Sequence, residues 1–280
     1  MSIRHHIGTT ALLFSLGAMP AAAQTSPVGL VDDACVAAPA IPESLRAFVR
    51  TQIDPSAPKP PATFAADIAA YRAAADKQKA QDWAELCHYA ADNKRVAALP
   101  QSARRIVYMG DSLTELWGIA DPAFFTGGRI NRGVSGQTTG QMLVRFQADV
   151  IALHPKAVHI WAGTNDLAGN NGPETMADVQ NNIVAMVTLA RANNVHVVLA
   201  SLTPILAFPW RAGLKPGPQV AALNAWLSDY AKRVGATYVD YHTPLATPEG
   251  ATQPALTFDG VHLSLAGYAR IRALSESVSR

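Results

Sequence analysis

Cysteine is scarce in this chain: only Cys35 and Cys87 occur among its 280 residues. A small scaffold stapled by many disulfides is thereby excluded, and so is a zinc site of the Cys-x-x-Cys kind. His-x-His and His-Glu-x-x-His spacings are absent as well, so no metal centre is expected. An excess of charge of one sign is also missing. The 23 Lys and Arg residues nearly balance 21 Asp and Glu, leaving a net charge of +2. With no basic stripe and no interleaving of aromatic and basic residues, nothing points to a nucleic-acid partner. The apolar run from Ile7 to Ala18 falls short of the roughly 20 residues that a membrane-spanning helix needs, and no later stretch free of charges is long enough.

What the chain does contain begins with that run. It follows Arg4 and precedes Ala21-Ala22-Ala23, the pattern of a secretory signal peptide over residues 1–23. The next residue is Gln24 rather than a cysteine, so a lipid anchor is not expected and the mature protein is expected to be secreted or periplasmic. In an oxidising compartment two cysteines have a single intramolecular pairing, and a Cys35 to Cys87 bond would tie the leader to the segment that follows. Residues 24–61 are rich in Pro and Ala with little periodicity and read as irregular or extended. Residues 63–98 read as helical. Phe64, Ile68, Tyr71 and Ala75, then Trp83, Leu86, Cys87 and Ala90, recur at helical spacing, which points to packing on a core. Pro100 marks a join. The organisation expected is a leader and helical extension over 24–103, then a larger domain over 104–280.

In that larger domain, apolar strand candidates at 105–109, 129–131, 157–162, 195–200 and 236–241 alternate with amphipathic helix candidates at 138–152, 174–193 and 219–233. A further helix is expected from Ser264 to Ala273. Alternation of this kind predicts an α/β fold with a parallel sheet covered by helices on both faces.

Loops at the predicted strand ends carry the chemistry. Gly110-Asp111-Ser112-Leu113 follows the first strand, Asp259-Gly260-Val261-His262 lies near the C-terminus, and between them come Ser135-Gly136-Gln137-Thr138-Thr139 and Gly163-Thr164-Asn165-Asp166. A serine hydroxyl is a poor nucleophile at neutral pH; it needs a histidine to take its proton and a carboxylate to orient that histidine. Ser112, His262 and Asp259 supply those three groups. A spacing of three in a turn brings carboxylate and imidazole to one side. A second pair, Asp240 and His242, follows the last strand and reads as structural or pocket-lining. Taken singly, each block is also what an ordinary turn or helix cap would use.

Together and in this order, the four blocks resemble the SGNH hydrolase family, also called GDSL esterases and lipases, over about Ile106 to Tyr268. The resemblance implies a three-layer α/β/α flavodoxin-like fold whose five-stranded parallel sheet has the order 2-1-3-4-5. It implies Ser112 as nucleophile, Asp259 and His262 as its partners, and an oxyanion hole made of the Ser112 and Gly136 backbone amides and the Asn165 side-chain amide. Glycine suits its place because a missing Cβ lets the backbone approach a ligand, and asparagine because its amide donates without titrating. Such acyl transfer requires no cofactor.

The segment Gly133-Val134-Ser135-Gly136-Gln137-Thr138-Thr139 looks closest to the platelet-activating-factor acetylhydrolase-like branch. That implies short acyl groups, acetyl in particular, on a small-molecule or carbohydrate ester. A lysophospholipase or thioesterase acting on longer chains is the alternative within enzymes, and a non-catalytic carbohydrate-binding envelope protein is the alternative from another class. The loop from Thr203 to Pro218 carries Phe208, Trp210 and Arg211 among prolines and glycines; Trp210 and Arg211 are expected to wall the acyl or leaving-group pocket, or to pack as a rigid surface loop.

Overall fold

The first strand, β1 (Ile106–Gly110), is buried along its whole length, as a parallel strand covered on both faces must be. In the computed structural model, which describes residues 29–35 and 39–279, it pairs in parallel with β2 (Arg129–Gly133) on one side and β3 (Ala157–Trp161) on the other. Strands β4 (His196–Ala200) and β5 (Thr237–Val239) complete a five-stranded parallel sheet of order β2-β1-β3-β4-β5, the order expected. The leader read over residues 1–23 lies outside the described residues.

Alternation along the strands divides the interior into two cores. Val107, Met109, Val158, Ile160, Val197 and Leu199 face a cluster completed by helices α5 (Thr139–Asp149), α7 (Met176–Ala192) and α8 (Gly217–Val234), through residues such as Phe146, Ile183 and Leu223. Ile106, Tyr108, Val198 and Ala200 face the other, completed by α1 (Glu43–Ile53), α4 (Ser112–Ala120) and α9 (Leu265–Val278), through Ile53, Trp117 and Ile271. Trp117 is its centre: its ring stacks on Phe124 at 4.4 Å and on Tyr268 at 5.5 Å. Remaining described helices are α2 (Phe64–Lys79), α3 (Ala90–Ala97) and the single turn α6 (Thr164–Leu167).

Two expectations are corrected in the N-terminal part. Residues 24–61 do not run irregular throughout, because α1 occupies 43–53. Pro39, Pro42 and Pro55 raise the proline density but stand outside the helix, and Val49 and Ile53, one turn apart, supply the buried stripe. The helical reading over 63–98 is interrupted: residues 80–89 form turns in which the Asp82 carboxylate accepts from the backbone N–H groups of Leu86 (2.8 Å) and Cys87 (2.9 Å). Cys87 is disulfide-bonded to Cys35.

The turns are stitched to the end of β2, to the loop that follows it and to the start of α5. Tyr89 Oη donates to the Gly133 carbonyl (2.6 Å), Gln137 Nε2 to that of Ala84 (2.9 Å) and Gln141 Nε2 to that of Trp83 (2.7 Å). The described residues from Cys35 onward form one compact unit. Among the described residues, no helix is long and apolar enough to cross a membrane.

Candidate active site

The carboxyl ends of β1, β2 and β3 lie side by side, with Gly110 in register with Gly133 and Trp161. Each strand breaks there into one of the loops singled out above. After β1, Asp111 caps α4, its carboxylate accepting from the Leu113 N–H at 2.9 Å. Ser112 is therefore the first residue of the helix, where backbone N–H groups have no intrahelical partner and the helix dipole is positive. Ser112 Oγ stands 2.9 Å from His262 Nε2, and His262 Nδ1 stands 2.7 Å from Asp259 Oδ2.

Asp259 divides its carboxylate between two tasks. Oδ2 meets the imidazole, while Oδ1 accepts from the backbone N–H groups of Val261 (2.9 Å) and His262 (2.7 Å). Burial alone would raise its pKa, but the hydrogen bond and charge of His262 and these backbone donors outweigh it and hold the carboxyl below the usual range. Thr257 closes the turn, donating to the His262 carbonyl at 2.6 Å and accepting from the Gly260 N–H at 2.9 Å. Gly260 sits at φ +89°, a left-handed conformation that a side chain at this tight turn would strain. Phe258 stacks on the imidazole at 5.6 Å between centroids, and Trp210 approaches it at 5.8 Å.

Gly136 adopts φ +83°, with open space where a Cβ would stand. Asn165, buried at the start of α6, directs its Nδ2 to the Gln137 carbonyl (3.1 Å) and to Asp111 Oδ2 (3.3 Å). Its Oδ1 accepts from Asn170 Nδ2 at 2.6 Å, and Asn170 Oδ1 accepts in turn from Trp210 Nε1 at 3.0 Å. The sequence does not single out Asn170; an asparagine in a Gly-rich loop carries no signal beyond turn propensity.

Arg145 is hidden in the sequence for a similar reason, being a polar position on an amphipathic helix. It is fully buried, and it donates to Asp149 (2.8 Å), to the Gly110 carbonyl (3.0 Å) and to the Gln137 side chain. One guanidinium thus ties the end of β1 to the loop after β2. Asp166, next to Asn165, accepts from the backbone N–H of Thr139 at 2.9 Å and from its hydroxyl, tying the loop after β3 to the start of α5. Burial raises the Asp166 pKa, and Glu174 beside it is pushed up to about 7 by burial and by the hydrogen bond and charge of Asp166. Asp111 is also raised, to about 6, chiefly by burial.

Ser112, Gly136, Asn165, Asp259, His262 and Trp210 line a single cleft of about 430 Å³. Arg211 stands apart. It borders a neighbouring depression, where it donates to the Gly169 carbonyl at 2.8 Å, and only Trp210 and Asn170 belong to both hollows. Asp240 holds the turn after β5, accepting from the backbone of His242 and Thr243.

Comparison with known proteins identifies the family and the fold. The profile of the GDSL-like Lipase/Acylhydrolase family matches residues 108–270. A GDSL-like lipase from Bacteroides thetaiotaomicron is 41% identical, the match covering 70% of this chain and 97% of that one with a TM-score of 0.68. A candidate acylhydrolase from Bacteroides fragilis is 40% identical over 71% of this chain and 97% of its own, with a TM-score of 0.69. The fold alone is shared with a Geobacillus acetyl-xylooligosaccharide esterase, 17% identical over 64% of this chain and 95% of the other, at a TM-score of 0.53. An uncharacterized lipoprotein of Bacillus subtilis is 32% identical over 80 residues, which span 28% of this chain and only 33% of that protein.

Proposed function

Given that the chain belongs to the GDSL-like lipase/acylhydrolase family and is a hydrolase of ester bonds, we propose that it is an exported serine esterase of short acyl, chiefly acetyl, esters. The observation that carries this reading is the chain of contacts from Ser112 Oγ to His262 Nε2 at 2.9 Å and from His262 Nδ1 to Asp259 at 2.7 Å. His262 takes the hydroxyl proton as Ser112 attacks the ester carbonyl, and Asp259 fixes the imidazole tautomer and stabilises the imidazolium that forms.

The negative charge that develops on the carbonyl oxygen meets the backbone N–H groups of Ser112 and Gly136 and the Asn165 amide, each such donor being worth about 3 to 4 kcal/mol. To donate there, Asn165 shares or releases the longer of its present bonds, the one to Asp111 at 3.3 Å. The hydrogen bond from Asn170 holds the other end of that amide, so that nitrogen and oxygen do not exchange places. Collapse of the tetrahedral intermediate passes the proton from His262 to the leaving alcohol. The resulting acyl-enzyme is then hydrolysed by a water that His262 activates.

Export is supported by the leader pattern at residues 1–23 and by the Cys35–Cys87 bond, since disulfides persist in oxidising compartments. On this reading residues 24–103 are the extension of a catalytic domain over 104–280. The acetyl preference agrees with the fold shared with the Geobacillus acetyl-xylooligosaccharide esterase, and a small-molecule or carbohydrate ester is the proposed substrate. Trp210 beside His262 is assigned to the wall of the cleft; Arg211, bordering the adjacent depression, is assigned to the outer part of a larger leaving group.

Hydrolysis of p-nitrophenyl esters from acetate to dodecanoate, run beside Ser112→Ala, tests the reading. Turnover confined to short chains and lost in the variant is expected. A maximum at long chains would transfer the assignment to a lysophospholipase or thioesterase. Failure of a fluorophosphonate to label Ser112 in folded protein would leave a non-catalytic binding protein.

A further inference from the structure

We propose that α1, which lies outside the segment matched by the family profile, is the acyl-side wall of the Ser112 cleft, and that Val49 on it limits the length of the acyl group. The inference rests on the esterase reading above and names the element that sets its substrate.

Phe48, Val49 and Gln52 of α1 line the same cleft as Ser112, His262 and Asn165. Helical spacing explains how one helix serves both core and cleft. Val49 and Ile53, one turn apart, face inward, with Ile53 only 2% exposed in the core around Trp117. Phe48 and Gln52, also one turn apart, lie on the adjoining face. Phe48 is braced from behind by Phe64 of α2, the rings stacked at 4.7 Å. The Cys35–Cys87 bond ties the chain just ahead of α1 to the turns that hold Gln137 through the Ala84 carbonyl. The wall itself is held by Ile53, which packs in the core around Trp117 of α4.

The position of His262 decides which part of an ester meets this wall. The leaving oxygen must come within hydrogen-bond reach of His262 Nε2, so the alcohol lies among the rings that flank the imidazole, Phe258 and Trp210. The acyl group then points away from them, along Leu116, one turn beyond Ser112 on α4, towards Val49.

Beyond these residues is a second cavity of about 360 Å³, bounded by Leu45, Tyr71 and Ile119, by charged side chains such as Arg72, Asp76 and Lys79, and again by Val49, Leu116 and Ser135. Three side chains thus form a partition between cleft and cavity. Leu116 is buried in the core and Ser135 is bonded to Glu115, which leaves Val49 as the member whose size can be changed with least disturbance. A short acyl group stops at this partition, and a longer one needs the space behind it.

The test compares p-nitrophenyl acetate with the octanoate on the full-length oxidised protein carrying Val49→Ala or Val49→Ile. In V49A the ratio of kcat/KM for octanoate to that for acetate is expected to rise by about tenfold or more, the usual size of a methylene effect in an apolar pocket. V49I, which keeps the core filled, is expected to lower the ratio. Circular dichroism establishes that both variants are folded. Ratios unchanged in both folded variants, with the wild type active, overturn the wall assignment alone. That assignment is equally overturned if V49A alters discrimination among acetate esters of different alcohols while the acyl profile stays fixed. A wild type that neither turns over any ester nor labels at Ser112 overturns the esterase reading, and the wall assignment falls with it.

Discussion

The turn that carries Asp259 and His262 is assembled from residues 257–262, whereas Ser112, Gly136 and Asn165 come from the ends of three different strands. In the turn, every bond that fixes the catalytic geometry joins residues at most five apart: Thr257 to Gly260 and His262, and Asp259 to Val261 and His262. Across the strand ends the geometry depends on buried polar groups that reach from loop to loop, Arg145 to Gly110 and Gln137, and Asp166 to Thr139. The difference teaches where each half is vulnerable. The turn is expected to lose its chemistry and keep its shape, while the strand-end side is expected to lose stability with its buried ties.

The sharpest way to separate the two is Asp259→Asn. An asparagine can still accept from the Val261 and His262 backbone through Oδ1, so the turn is expected to stand and Tm to change little. It presents the wrong partner to His262 Nδ1, and kcat on p-nitrophenyl acetate is expected to fall on the order of 10⁴-fold. Activity within tenfold of wild type would remove Asp259 from the mechanism.

Arg145→Met inverts that pattern. Asp149 would be left buried without its guanidinium, a change expected to cost about 3–5 kcal/mol in urea unfolding, with the midpoint lowered and the slope unchanged. A loss below about 1 kcal/mol, the scale of an exposed pair, would mean that something else holds the loops together.

Asn165→Ala lies between these extremes. Losing one oxyanion donor is expected to lower kcat by about 10² to 10³-fold, and KM should move far less because the developing charge exists only in the transition state. Should KM rise instead with kcat intact, Asn165 binds substrate and does not stabilise an oxyanion.

The smallest effect concerns Glu174. Its folded pKa, about 7, lies above its ordinary 4.5, so between those values the folded chain holds a proton that the unfolded chain has released. Stability from this group is present below pH 4.5 and is lost as pH rises through 7. Glu174→Gln is expected to flatten the fall in Tm between pH 5 and 8. Parallel Tm curves for variant and wild type would show that Glu174 titrates normally.

Strand positions were legible because most of these buried parallel strands are apolar runs, the sheet order because the four blocks resemble a family that has it, and the Asp259–His262 contact because it is local. Less visible was α1, whose flanking prolines hide a short stripe built on Val49 and Ile53. Arg145 was invisible for a deeper reason: a buried and an exposed arginine have the same place in a helical pattern, and only the packing of α5 on the sheet separates them.

The sequence by itself determined the class of fold, the residue types that ester hydrolysis needs and the family they belong to, because periodicity and local turn chemistry are properties of neighbouring residues. Only the tertiary structure decided that three loops meet around one cleft with the serine, that buried charges hold them there, and that a helix from outside the family segment lines the same cleft. Those are contacts between residues distant in the chain, and packing alone brings them together.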